Sequence, residues 1–344
     1  MTTVQTVPAL AHPLLGLEPD NLLAFLALLG LLRALEAGDR ERPDGEKLRP
    51  RAAWSLDAPP LRPVLHLARA LTAAEVAEEA AEGVAILAAA HRFDGRNDLN
   101  HTRTEARSLL KAAEPGDRAD LLAALMTDAA IKDEDKPDTA PVDPTPLCLL
   151  FGQGHQHFLD QLARVPAESA PPPRGRGKAA VTLTAATCLT EALFAPWHRA
   201  DPTFSFRWDP EEDVRYALMA GSPTDAAYKP GTQHGANRLA AIGLAALTVV
   251  PETRAGRVRP AILGGAWRDG FSLAWPIWRD PASLSAIRAL LGHPNLRTVD
   301  GLVHLGVEHV LVARRISVGK FMNFTRAQAV SLPYGNHHRT ASQP

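Results

Sequence analysis

Residues 22–32, Leu-Leu-Ala-Phe-Leu-Ala-Leu-Leu-Gly-Leu-Leu, make an unbroken apolar run of 11 residues, counting Gly30. A helix built from such a run has no polar side to offer water, so it belongs at the centre of the core. The run is too short to cross a bilayer, which takes about 20 apolar residues. It also lacks the basic start of a secretory leader: the first 32 residues carry no Lys or Arg, and Glu18 and Asp20 stand just ahead of it. Asp20 or Asn21 is placed to cap this helix, which is predicted to run through Glu36 and stop near Gly38. The expectation is a soluble, cytoplasmic chain with a buried central helix. Two cysteines, Cys148 and Cys188, are too few for a disulfide framework and read as small buried apolar residues of a reducing compartment.

The remaining punctuation divides the chain unevenly. Thr72-Ala73-Ala74-Glu75 is a capping box that opens a helix reaching about Ala90, because hydroxyl and carboxylate satisfy each other's free amides. Helices are also predicted over 104–113 and 117–131, separated by Pro115-Gly116, and over 155–164, with short extended pieces within 52–67. Residues 166–178 contain Pro171-Pro172-Pro173 and Arg174-Gly175-Arg176-Gly177-Lys178, the composition of a linker or exposed loop. Strand signals gather after it. Phe204-Ser205-Phe206-Arg207-Trp208 alternates, Asp209-Pro210 turns, and 214–219 resumes, which predicts a hairpin. Residues 258–263, 271–275 and 307–312 read as strands, 235–247 and 283–291 as helices. The predicted fold class is α+β: a helical N-terminal half followed by a mixed sheet with packed helices. The divisions are 1–165 (mainly helical, acidic), 166–178 (linker or exposed loop), 179–332 (α+β, basic) and 333–344 (flexible tail).

Charge follows the same division. Residues 1–173 hold 17 Lys+Arg against 26 Asp+Glu, while residues 174–344 hold 20 against 12. Residues 254–344 alone carry 12 basic side chains and 4 acidic ones. A surface of one sign recruits ligands of the other, so the C-terminal quarter is where a polyanion is expected. Its densest stretch is Arg314-Arg315-Ile316-Ser317-Val318-Gly319-Lys320-Phe321-Met322-Asn323-Phe324-Thr325-Arg326, at the end of a predicted strand. Here Arg314, Arg315, Lys320 and Arg326 are expected to neutralise phosphates, Phe321 or Phe324 to stack on unpaired bases, and Asn323 to hydrogen-bond. The opposing reading is a solvated basic edge strand with both rings buried. Asn237 and Arg238 open a predicted helix whose free amides attract anions, though ordinary capping explains the same residues. Most Trp in the blocks around Trp208 and Trp275-Pro276-Ile277-Trp278 read as packing.

Signals for catalysis are weaker. His91, Asp94, Asp98 and His101 bring together metal-ligand types that a metal-dependent nuclease or phosphohydrolase would use. Arg92, Arg96 and Arg103 interleave with them, which suits an ion-paired or phosphate-contacting loop better. His155 and His157 flank Gln156, with Cys148 seven residues before His155, but a helix start sends the two rings to different sides and no further ligand stands at zinc spacing. Gly152-Gln153-Gly154 lacks the third glycine of a dinucleotide fingerprint, and neither a Gly-Lys-Ser/Thr phosphate loop nor a Gly-x-Ser-x-Gly elbow occurs. No catalytic residue, metal, cofactor or small-molecule substrate is therefore assigned.

In order along the chain stand His-Pro-Leu-Leu-Gly-Leu-Glu-Pro-Asp-Asn-Leu-Leu-Ala-Phe-Leu-Ala-Leu-Leu-Gly-Leu-Leu-Arg, Phe-Arg-Trp-Asp-Pro with Arg215-Tyr216-Ala217-Leu218, Gly-Ala-Asn-Arg-Leu-Ala, Trp-Pro-Ile-Trp, and Arg-Arg-Ile with Asn323-Phe324. From about residue 12 to 330 these blocks resemble proteins encoded in CRISPR operons of subtype I-G (formerly I-U). The resemblance implies either a compact large-subunit-like component of the RNA-guided surveillance complex or an accessory protein of its helicase-nuclease. It implies a multi-protein assembly of other CRISPR-associated subunits on guide RNA and/or target DNA, with no catalytic residue to place. The alternatives from the residues are the metal-dependent nuclease or phosphohydrolase above and a protein-interaction scaffold that touches no nucleic acid. Base pairing would read sequence while protein reads backbone and shape. The acidic N-terminal half would then face partner subunits.

Overall fold

In the computed structural model, which describes residues 7–57, 59–93, 95–130, 138–149, 157–175, 177–212, 231–254, 256–266, 270–298, 301–318 and 321–330, the apolar run becomes helix α1 (Leu22–Asp39), with all of residues 22–35 buried. Asn21 is the cap. Its Oδ1 accepts from the Ala24 amide at 3.3 Å while its Nδ2 donates to Asp209 Oδ1 at 2.9 Å. An aspartate here could accept from the helix but would set a second carboxylate against Asp209; the amide satisfies both neighbours.

Helix α1 is buried because other helices close on it at backbone distance. It crosses α7 (His234–Leu244), itself buried at every residue. A methyl group placed on Gly30 would lie 1.8 Å from the Leu239 carbonyl oxygen, and one on Gly243 2.0 Å from that of Leu26. On another side α2 (Ala73–Ala88) brings Gly83 against Ala34, whose carbonyl oxygen would stand 2.0 Å from an added methyl. The Thr72–Glu75 capping box opens α2 as predicted, and Thr102 with Glu105 forms a second one at the start of α3 (Arg103–Ala112). Helices α4 (Asp117–Leu125), α5 (Phe158–Ala167) and α6 (Ala185–Phe194) complete the helical layer, and α8 (Leu284–Leu291) starts at the Ser283 cap.

The fold class is α+β, with three small antiparallel sheets among the described residues. One lies in the N-terminal half, where helices were expected to dominate: β1 (Ala9–Pro13), β2 (Arg51–Trp54) and β3 (Pro63–Leu71) pair in the order β1-β3-β2. A second is the meander β4 (Val249–Arg254), β5 (Arg257–Ile262) and β6 (Gly265–Ala266). In the third, β8 (Val307–Val318) pairs with β7 (Ser272–Trp278), with β10 (Gln328–Ala329), and through its far end with β9 (Phe321–Phe324). The pairings seen are thus antiparallel throughout, where a mixed sheet was predicted. Residues on both sides of 166–178 share one hydrophobic core. Trp278 Nε1 donates to the Ala52 carbonyl at 2.6 Å, Trp275 Nε1 donates to that of Pro19 at 3.0 Å, and the Trp275 ring stacks on Phe25 at 5.1 Å.

Residues 204–208 do not form the first strand of the expected hairpin. These residues run irregularly through the interior, with Phe206 and Trp208 stacked at 4.5 Å. Trp208 O accepts from the Leu23 amide at 3.1 Å, and Trp208 Nε1 donates to Leu147 O at 2.8 Å. The predicted return strand at 214–219 lies outside the described residues, as does the tail 333–344. Of the predicted exposed loop, Arg174 is anchored, donating to both Glu191 oxygens at 2.9 Å and to Asp201 at 2.8 Å. Cys148 and Cys188 are both buried, and burial pushes the Cys188 thiol up to about 11. Among the described residues no helix is long and apolar enough to cross a membrane.

One charge sits in the flank of α1. Arg33 is buried and donates to Asp117 at 2.9 Å and to Asp120 at 3.3 Å, while Arg40 grips Asp117 at 2.6 and 2.7 Å. The hydrogen bond from Arg40 and the charge of Arg33 outweigh burial and hold the Asp117 carboxyl below the usual range. A carboxyl depressed on folding stabilises the native state above its unfolded pKa, and that contribution is lost as pH falls through the folded value. Asp117→Asn is therefore expected to cost about 1.5–3 kcal/mol at pH 7 in urea unfolding, with the gap to wild type narrowing at about pH 3. A gap equal at both pH values would contradict this. For the helix crossing, Gly243→Ala is expected to cost about 1–3 kcal/mol. Gly38→Ala, whose methyl would meet nothing closer than 3.9 Å, is expected to be neutral or stabilising by up to about 1 kcal/mol in the same measurement.

Candidate nucleic-acid interface

The C-terminal basic stretch lies along β8 and β9, and strand geometry decides what it can do. Successive side chains on a strand point to opposite faces, so Arg314 and Arg315 cannot act together on one ligand. Arg314 is exposed, and among the described residues its guanidinium has no partner. Arg315 turns inward instead, donating to the Pro146 carbonyl at 3.1 Å and lying 5.8 Å from the centroid of the buried Phe271 ring. Phe324 is buried edge-on against Phe271 at 6.1 Å, and so is not a stacking platform. Asn323 is buried too, its Oδ1 accepting from the Phe324 amide at 2.8 Å. Arg326 is held by carboxylates of the chain itself: it donates to Glu211 at 2.7 Å and to Glu18 and Asp20 at 2.9 Å each. Burial opposes its charge, but these hydrogen bonds more than offset that and raise its pKa. Lys320 and the Phe321 side chain lie outside what the structure describes.

The second predicted anion site is corrected by burial. Asn237 and Arg238 sit inside the fully buried α7, and the Asp201 carboxylate already accepts from the His234 amide at 3.2 Å at the helix start. Asn237 donates to the Gln233 carbonyl, and Arg238 donates to the Pro166 carbonyl at 3.0 Å, tying down the end of α5. Burial brings Arg238 down to about 10.

The loop 91–103 is a structural joint. His91 is buried, which pushes its pKa down to about 3 and keeps it neutral. His101 is buried as well, Asp98 faces His157 Nδ1 at 3.2 Å, and the Asn97 carbonyl accepts from the Leu159 amide at the start of α5. Asp94 and His155 lie outside the described residues. Among those described, no group of three or more His, Cys, Asp or Glu is gathered to hold a metal ion. Arg96 pairs with Glu105 at 2.9 Å, Arg103 is half-buried at the first position of α3, and Arg92 is exposed. Of the three, Arg92 alone is exposed.

Sequence reading missed Arg297, which follows α8 in Gly292-His293-Pro294-Asn295-Leu296-Arg297. Its Nη1 donates to Ser272 Oγ at 3.0 Å, and its Nη2 donates to the carbonyls of Gly264 at 2.8 Å and Ser272 at 2.6 Å. Ser272 is the cross-strand partner of Arg314, so β7 and β8 set it and Arg314 on one face. Burial lowers the Arg297 pKa, and Glu252 opposes that shift, but a guanidinium stays charged at neutral pH. The signal for this pairing is the β7–β8 register, which no local pattern encodes.

Compared with protein-family models, with curated proteins and with solved structures, the chain matches none.

Arg326 and Arg314 should therefore behave in opposite ways. Arg326→Ala leaves three carboxylates facing one another and is expected to lower stability by about 1 kcal/mol. Arg314→Ala touches no partner and is expected to change stability by less than about 0.5 kcal/mol. Thermal unfolding of the two variants checks this, and equal losses would count against the assignment.

Proposed function

We propose that this chain is a non-catalytic, nucleic-acid-binding subunit of a CRISPR RNA-guided surveillance complex, working in the cytoplasm with other CRISPR-associated subunits and guide RNA or target DNA. The observation that carries the binding half of this reading is the convergence of Arg314 and Arg297 on Ser272. One of these cations has no partner among the described residues and the other is held by oxygens that are not carboxylates, so both keep positive charge to offer. The excess of cations over residues 254–344 supports the same surface. Membership in the complex rests on the resemblance of the sequence blocks from about residue 12 to 330.

Two measurements test the halves separately. Tagged chain purified from cells that carry its own operon is expected to bring down CRISPR-associated subunits with guide RNA, and recovery of the chain alone would refute the complex. Purified chain is expected to bind single-stranded oligonucleotide, with log K falling linearly against log salt. Arg314→Ala is expected to reduce that slope by roughly 0.7, the loss of one phosphate contact. An unchanged slope would refute the role of this face.

A further inference from the structure

A cavity of about 580 Å³ opens beside Ser272, between the β4–β5 hairpin, the turn into β6, and the segment that follows α8. Its size falls in the range of ligand-binding clefts, about 300–1,000 Å³. Four glycines, Gly264, Gly265, Gly270 and Gly292, share its wall with apolar and polar side chains. At Gly265 the approach is too close for a side chain: a methyl there would meet the Phe271 ring at 2.6 Å and the Ser272 carbonyl oxygen at 2.8 Å.

The polar groups in the wall are mostly donors. Arg297 lines the cavity with three N–H groups engaged by oxygens of Gly264 and Ser272, which leaves two of its five for a ligand. Ser272 accepts from Arg297, and its own hydroxyl proton has no acceptor among the described residues. His293 Nδ1 accepts from the Asn295 amide at 3.1 Å, so the neutral ring carries its proton on Nε2 as a further donor. Arg314 is outside the lining, next to Ser272 as its cross-strand partner on β8. Glu252 is the acidic side chain in the lining, and the exposed Arg259 is its cross-strand partner on β4–β5.

We infer that this cavity grips the phosphodiester backbone of a single-stranded nucleic acid, with Arg297, Ser272 and His293 on one phosphate and Arg314 on a neighbouring one. The inference rests on the nucleic-acid reading above and says where and what the chain grips. Two cations, one in the lining and one beside it across the strand pair, suit successive phosphates of a strand better than one free phosphate. Among the described residues the lining holds no exposed Phe, Tyr or Trp to stack on a base, since Phe271 is buried. Binding is therefore indifferent to base identity.

The test uses fluorescence anisotropy with labelled oligo-dT and oligo-dA of about 20 nucleotides, an abasic deoxyribose-phosphate strand of the same length, and inorganic phosphate as competitor. Wild type is expected to bind all three strands within about threefold of one another, and millimolar phosphate at constant ionic strength is expected not to displace them. His293→Ala and Arg314→Ala are surface changes and are each expected to weaken binding several-fold, and Arg297→Ala about tenfold or more. Arg279→Ala, whose guanidinium pairs with Glu308 beyond the other end of β7, is expected to bind as wild type does. Full affinity in the His293 and Arg314 variants would overturn the cavity and leave the nucleic-acid reading standing. Loss of the abasic strand alone would likewise overturn backbone gripping, and displacement by phosphate would point to a free-phosphate site. Failure of wild type to bind any strand would refute the reading itself.

Discussion

The structure depends on two helices meeting at backbone distance. Gly30 of α1 and Gly243 of α7 each face a carbonyl of the other helix with no room for a methyl group. That reciprocal contact joins an element from the first tenth of the chain to one more than 200 residues later. Burial on both sides strips water from two largely apolar helices, and dispersion contacts follow from the short separation. Once α1 and α7 are joined, other parts have their places. Gly83 brings α2 onto a third side, Trp275 stacks on Phe25, and Asn21 and Leu23 hold the buried 204–209 segment at the start of α1.

How much of this could be read beforehand depends on the range of the interaction. Helix starts are local: the Thr72–Glu75 box, the Ser283 start and the Asn21 cap each need only a few consecutive residues. So does the inward placement of a run with no polar side. The alternation at residues 204–208 was equally clear, yet they form no strand: the Trp208 carbonyl accepts from Leu23 of α1 and its indole N–H donates to Leu147. Strand β1, Ala-Leu-Ala-His-Pro, has little intrinsic strand preference; it exists because β3 offers it an edge. Long-range pairing overrode local pattern in both cases.

The charge pattern was legible in one dimension and partly cancels in three. An acidic half and a basic quarter suggested separate surfaces, but Glu18 and Asp20 lie against Arg326 in the folded chain. Adjacent arginines at 314 and 315 looked like one cluster, and the pleat sends them to opposite faces, one outward and one onto Phe271. Arg238 looked like an anion contact and is spent on the end of α5. Clustering along the sequence counts charges without their partners, whereas binding depends on the charges left over.

What distinguishes a cation left over is the kind of oxygen that holds it. Three carboxylates around Arg326 carry more negative charge than the guanidinium carries positive, so an approaching phosphate meets no attraction there. Arg297 is positioned by a hydroxyl and two carbonyls, which are neutral dipoles: they fix its direction and leave its charge intact. Holding the fork in place beforehand also reduces the side-chain entropy lost when a ligand arrives. Arg314, exposed and without a side-chain partner among the described residues, supplies field without that preorganisation. A strand passing over the face between β7 and β8 would thus meet one cation that attracts and one that orients, both referred to the same serine, and this division of labour is what a backbone-reading surface requires.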